Sequence, residues 1–250
     1  LNRERESVIY STPQKALVLA PHPDDESLGC GGTIKLITSS GGTIDVLFMT
    51  RGEMGLETVR GASQVAQDDL ARRRTDEALE ACRILGVRKV HFLAGRDSHL
   101  EQEPDLWHGV WQMLQSDSYR SVFCPWHSDN HADHAATFQI LLTALRCHPV
   151  DLDVWLYEVW TPLESNLAVP IDSTIQAKLE AILAHRSQRA CADFPRAFRA
   201  LAQYRSLLCP LSKYAEAFVT LDREQLIASA DAGRIPRALG ERRSAWIGDE

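Results

Sequence analysis

The chain alternates between short apolar runs and stretches in which apolar residues recur every three or four positions. Residues 15–20 (KALVLA) form a run that stops at Pro21 and predicts a buried strand, followed by a Gly-rich turn and a helical pattern over 33–40. Residues 43–50 (TIDVLFMT) predict a second strand. Val65, Leu70, Ala78, Leu79, Cys82 and Leu85 then fall at helical spacing, which predicts a helix over 62–85 closed by Gly86. Further strands are expected at 89–94, 121–125 and 154–159, with helices at 106–114 and 135–146 between them. Helices at 173–187 and 195–207 and a late strand at 215–221 complete the pattern, and the tail beyond Asp222 carries no readable period.

Strands alternating with helices of this length imply right-handed crossovers and an α/β fold, a mostly parallel sheet with helices on both faces. The 250 residues contain no internal repeat or low-complexity linker, so a single domain over 1–222 is expected, with 223–250 as a tail of unassigned role. Loops at 52–64, 95–105 and 160–172 are expected to wall the pocket.

Composition narrows the function class. Hydrophobic residues at 44% and charged residues at 24% are ordinary for a soluble protein, and no run approaches the roughly 18 apolar residues of a membrane span. A net charge of −7 disfavours a sequence-independent grip on nucleic acid, which needs clustered Lys and Arg. The basic run Arg72-Arg73-Arg74 lies in a helical segment and reads as a solvated face with at most one Arg turned inward. Six cysteines without a C-x-x-C pair, four of them among apolar neighbours, predict free core thiols in a reduced, cytoplasmic protein. Residues 1–6 are charged rather than apolar, so no secretory leader is visible there.

In an open parallel sheet, ligands bind beyond the carboxyl ends of the strands. Two clusters lie at such ends: His22-Pro23-Asp24-Asp25-Glu26 after the first strand, and the segment from His127 to His134 after the fourth. Three successive acids beside a histidine concentrate like charge that a divalent cation would offset. Imidazole with carboxylate suits zinc, which in catalytic sites takes three protein ligands and leaves a position for water. His22 and Asp25 make an incomplete set. The second cluster offers His131 and His134 at i, i+3, with Asp133 available to orient a ring nitrogen, and spacing does not choose between the two histidines. The groups left over would supply a general base and a proton donor. A solvated acidic turn with surface histidines is the plainer reading of either cluster alone, and the coincidence of both at one sheet edge argues against it. Cys30-Gly31-Gly32 lacks the G-x-G-x-x-G spacing of a phosphate loop, and the adjacent acids would repel phosphate.

Ala20-Pro21-His22-Pro23-Asp24-Asp25-Glu26, followed by Gly29-Cys30-Gly31-Gly32 and by His131-Ala132-Asp133-His134 downstream, resembles the PIG-L or LmbE-like de-N-acetylase family. The likeness extends to Arg51-Gly52-Glu53-Met54-Gly55, to Arg74-Thr75-Asp76-Glu77, to Leu85-Gly86-Val87 and to His185-Arg186-Ser187-Gln188, so it spans about residues 15–190. The resemblance implies a Rossmann-like domain that uses zinc, or another divalent transition metal, to hydrolyse the N-acetyl group of an N-acetylglucosamine-type amino sugar or its conjugate. By motif position it implies His22, Asp25 and His134 as metal ligands and Asp24 as general base. His131 would stabilise the oxyanion or protonate the leaving amine, with Asp133 orienting it. Glu26 would be a structural neighbour, Arg74 and Asp97 contacts for the sugar, and His185 a residue at the pocket or behind it. Trp126 and Trp160, at strand ends, are candidates for stacking on a sugar. One departure is Ala132, where the family commonly has Pro. The implied partner is a small amino-sugar substrate, with neither nucleic acid nor a membrane involved, and a homo-oligomer is compatible with the sequence. The rival readings are a zinc amidase acting on a non-sugar N-acyl amine and a non-catalytic sugar-binding module.

Overall fold

Pairing converts the apolar runs into one sheet in the computed structural model, which describes residues 12–59, 61–233 and 243–244. The stretch 1–6 read above for a leader lies outside the described residues, as do 234–242 and 245–250 of the tail. The strands are β1 (Lys15–Ala20), β2 (Thr43–Phe48), β3 (Lys89–Phe92), β4 (Ser121–Pro125), β5 (Asp153–Tyr157), β6 (Leu167–Pro170), β7 (Ala215–Asp222) and the two-residue β8 (Arg243–Ser244). The helices are α1 (Asp25–Ser39), α2 (Gln64–Leu85), α3 (Trp107–Ser116), α4 (Ala132–Cys147), α5 (Ile175–Ala184), α6 (Phe194–Arg205) and α7 (Arg223–Asp231).

The strand order among the described residues is β3-β2-β1-β4-β5-β7-β6-β8. β1 to β5 pair in parallel, whereas β7 runs against both β5 and β6. Successive residues of a strand face opposite sides, and β1 divides accordingly: Ala16, Val18 and Ala20 face one core, Leu17 and Leu19 the other. Apolar residues of α1, α2, α5 and α6 fill the first core, and those of α3, α4 and α7 the second. The expected single α/β domain with both faces covered is the observed one. None of the described helices is long and apolar enough to cross a membrane.

α1, β6 and α7 depart from the sequence pattern, as does the two-residue β8 in the tail. α1 begins at Asp25 rather than near 33, because its first two turns are built from the polar motif and glycines and carry no apolar stripe. Close approach replaces that stripe: a Cβ on Gly29 would sit 2.2 Å from the ring of Tyr157 on β5, so only glycine lets the helix lie this near the sheet. β6 occupies part of the expected 160–172 loop and owes its existence to pairing with β7. α7 lies in the tail that carried no period, since it buries a single apolar residue, Leu226; Asp222 and Gln225 close its start with a reciprocal capping box.

Candidate active site

β1 sits between β2 and β4, so the chain leaves β1 toward one side of the sheet and later returns on the other. At such a reversal the connections diverge and open a crevice at the carboxyl ends. Residues 21–26 leave β1 at this point, and residues 126–131 leave β4 beside them before α4 begins.

Asp25 stands at the centre of the cluster. Its Oδ2 accepts the main-chain N–H of His22 at 2.9 Å and lies 3.2 Å from His22 Nδ1 and 3.3 Å from His134 Nε2. Each of those rings turns its other nitrogen toward a further carboxylate. His22 Nε2 is 3.0 Å from Asp133 Oδ2 and 3.3 Å from Asp97 Oδ1, while His134 Nδ1 is 3.5 Å from Asp129 Oδ1. His134 is fully buried, yet neither of its ring nitrogens makes a hydrogen bond.

His131 is held differently. It caps α4, its Nδ1 accepting the main-chain N–H of Asp133 at 3.2 Å, which leaves the proton of the neutral ring on Nε2. Burial and the neighbouring His22 and His134 lower its pKa, so the ring is neutral at ordinary pH.

The electrostatics are those of a cation site. Burial opposes charge on His22 and His134, but the carboxylates outweigh it: His22 is held well above the usual histidine range and His134 is pushed up to about 9. For Asp25, burial is outweighed by His134 and His22, which hold its carboxyl well below the usual range. A field that draws protons onto two buried imidazoles also draws a metal ion. Donor atoms of His22, His131 and His134 lie within 4.8 Å of one another, as do those of His22, Asp97 and Asp133. With Asp25 between two rings, the residues present fit a divalent metal.

Asp24 is the adjoining carboxylate that keeps access to the crevice, its side chain 12% exposed beside Arg74 Nη2 at 3.2 Å. Burial raises its pKa to about 6, against the pull of Arg74. Of the arginine run, Arg72 and Arg73 are exposed and Arg74 alone turns inward. Arg74 donates to Gly52 O at 3.1 Å and to Pro23 O at 2.7 Å. Gly52, at φ 68, makes room for it: a Cβ there would meet the guanidinium at 2.5 Å.

All eight residues singled out by the sequence thus meet in one place, with some contacts other than those expected. The Asp133 carboxylate reaches His22 and the N–H groups of Ser98 and Leu100; toward His131 it is only the main chain of Asp133 that bonds. Asp97 accepts Met54 N–H at 2.8 Å and donates its own N–H to Glu53, so it joins the loops after β2 and β3. Asp129 was not foreseen. Its Oδ2 gathers the N–H groups of Val159, Trp160 and Thr161 while Oδ1 accepts that of His131 and faces His134. Its place two residues before His131 was the only available signal. Trp160 is half exposed and Trp126 partly buried, with its indole N–H bonded to Thr161 O at 2.8 Å.

Comparison with known proteins adds an independent line. The profile of the PIG-L family, GlcNAc-PI de-N-acetylase, matches residues 17–145. The diacetylchitobiose deacetylase of Thermococcus kodakarensis is 31% identical over 199 residues, covering 72% of each chain. A probable N-acetyl-alpha-D-glucosaminyl L-malate deacetylase 2 of Bacillus cereus is 29% identical over 184 residues, covering 69% of this chain and 82% of its own. Among solved structures, the N,N'-diacetylchitobiose deacetylase of Pyrococcus horikoshii, complexed with its inhibitor MPG, superposes with a TM-score of 0.75 at 25% identity over 85% of each chain.

Proposed function

This chain belongs to the PIG-L, or GlcNAc-PI de-N-acetylase, family, and on that footing we propose that it is a zinc-dependent hydrolase removing an N-acetyl group from an N-acetylglucosamine-type amino sugar or its conjugate. The observation that carries the reading is the arrangement of two buried imidazoles around one carboxylate, each ring backed by a second acid on its far side. Metal-binding histidines are characteristically oriented by such carboxylates.

His22, Asp25 and His134 would hold the ion, and two imidazoles with one carboxylate suit zinc. When bound there, the metal supplies a Lewis acid that makes water more acidic and polarises an amide carbonyl. Asp24, ionised above a pKa of about 6, takes the proton of the attacking water. His131 is favoured as proton donor over metal ligand because its Nδ1 is already occupied, leaving Nε2–H to meet the carbonyl oxygen as charge develops or the amine as it leaves. Asp133 would orient His22, and Asp129 would orient His134. Arg74 is assigned to Asp24 and to the Gly52 turn rather than to the sugar, since its side chain is 3% exposed. Asp97 is assigned to the joint between the two loops. The six cysteines are all free, which supports a reducing compartment, and we assign the enzyme to the cytoplasm.

Acetate release from metal-loaded protein, measured across N-acetylhexosamine conjugates and simple N-acetyl amines, tests the substrate class. Turnover of the conjugates is expected. Activity confined to the simple amines would sink the sugar assignment and leave an amidase.

A further inference from the structure

Asp24 has φ 143 and ψ −25, a backbone conformation that L side chains rarely adopt and that persists only where the surroundings over-determine it. The next turn of chain shows what holds it. Glu26 Oε2 accepts the main-chain N–H of Asp24 at 3.1 Å, while Asp24 O accepts the N–H groups of Ser27 at 3.0 Å and Leu28 at 2.9 Å. Glu26 is fully buried, and its other oxygen takes the Ser27 hydroxyl at 2.6 Å and faces His185 Nε2 at 3.1 Å. His185 closes α5 and is itself 3% exposed. Its neighbour Ser187 is bonded through both N–H and hydroxyl to Glu77 on α2, which anchors this turn from a second side.

A buried carboxylate is costly unless it is fully partnered, and Glu26 has no part in the chemistry assigned above. We infer that Glu26 and His185 are positioning residues: Glu26 holds the strained main chain of Asp24 so that its carboxylate points into the crevice, and His185 holds Glu26. The inference rests on the reading of Asp24 as the base.

Glu26→Met keeps the volume but removes both acceptors. In the folded, metal-replete variant kcat is expected to fall about 100-fold, the loss typical of a misplaced catalytic group, with KM and metal content unchanged. Glu26→Gln keeps a carbonyl acceptor and should lose about tenfold at most, a rescue that loss of charge alone would not give. In the metal-free protein, hydrogen exchange at the Asp24 amide should accelerate in Glu26→Met, a readout independent of turnover. Asp24→Asn/Glu26→Met should be no slower than Asp24→Asn alone, because the two residues act through one group. His185→Leu leaves the other partners of Glu26 in place and should lower kcat in the same manner; it decides the matter if Glu26→Met does not fold. A folded, metal-replete Glu26→Met or His185→Leu with wild-type kcat overturns the inference, as do losses that multiply in the double variant. Full activity in Asp24→Asn would overturn the base assignment instead, a failure seen in a different protein.

Discussion

Exchanging the Asp24 carboxylate for an amide removes a proton acceptor while preserving the size of the side chain beside Arg74. Asp24→Asn is therefore expected to retain its metal and lose turnover by about 10²–10⁴-fold, the usual contribution of a general base. His134→Ala should lose the metal itself, and elemental analysis beside an activity assay separates the two outcomes. The base must be ionised to act, so kcat/KM should fall on the acid side, with a midpoint at or below about 6, because burial raises Asp24 to about 6 and a bound cation would draw it down. The Arg74 guanidinium favours the carboxylate, so Arg74→Met should move this acidic limb to higher pH; a limb that stays in place would disconnect Arg74 from the base. At this scale much of the site was legible, because the run His22 to Glu26 and the histidines after β4 announce their chemistry by type and spacing. Contacts were less legible: nothing in the order of residues says that Asp133 turns its carboxylate to His22, or that Asp129 faces His134.

Between elements, the approach of α1 to β5 is governed by Gly29. Gly29→Ala drives a methyl into the Tyr157 ring, whose hydroxyl donates to Leu19 O at 2.8 Å, so neither side can retreat freely. A loss of about 1–3 kcal/mol is expected from overpacking, read by denaturant titration. The turn after β5 has a different part: Trp160 is half exposed and edge-on to Phe194 at 5.9 Å, and its main chain is tied through Asp129 to the His134 side of the cluster. If the indole stacks on the sugar, Trp160→Ala should raise KM by up to about tenfold with kcat little changed, the scale of one aromatic contact. An unchanged KM removes Trp160 from the substrate surface. Six of the strands, β1 to β5 and β7, and most helices were readable because each carries its own apolar period. β6 and α7 were not, since four paired residues and one buried leucine leave too short a pattern.

Across the molecule, the cluster gathers the carboxylates of Asp24, Asp25, Glu26, Asp97, Asp129 and Asp133 in buried positions, with Arg74 as the adjoining permanent cation. A metal that binds only the folded chain stabilises it by mass action, by about 2.7 kcal/mol at a hundredfold excess over Kd. For a chain of this length that corresponds to roughly 5–10 °C in the melting temperature. Calorimetry with and without chelator should register the difference, and identical melting curves would argue against a metal held by this cluster.

What the amino-acid order determined by itself was local: which runs become strands, where they end, and which ionisable residues stand at those ends. The tertiary structure decided what these residues face. β1 and β4 are adjacent, and parallel, only because the order of strand addition reverses at β1, and that pairing joins residues about a hundred positions apart. The two halves of the cluster, the inward turn of Arg74 and the reach of His185 to Glu26 all depend on that long-range packing. No local period encodes such contacts, since side-chain periodicity reports which face is buried and not what lies against it.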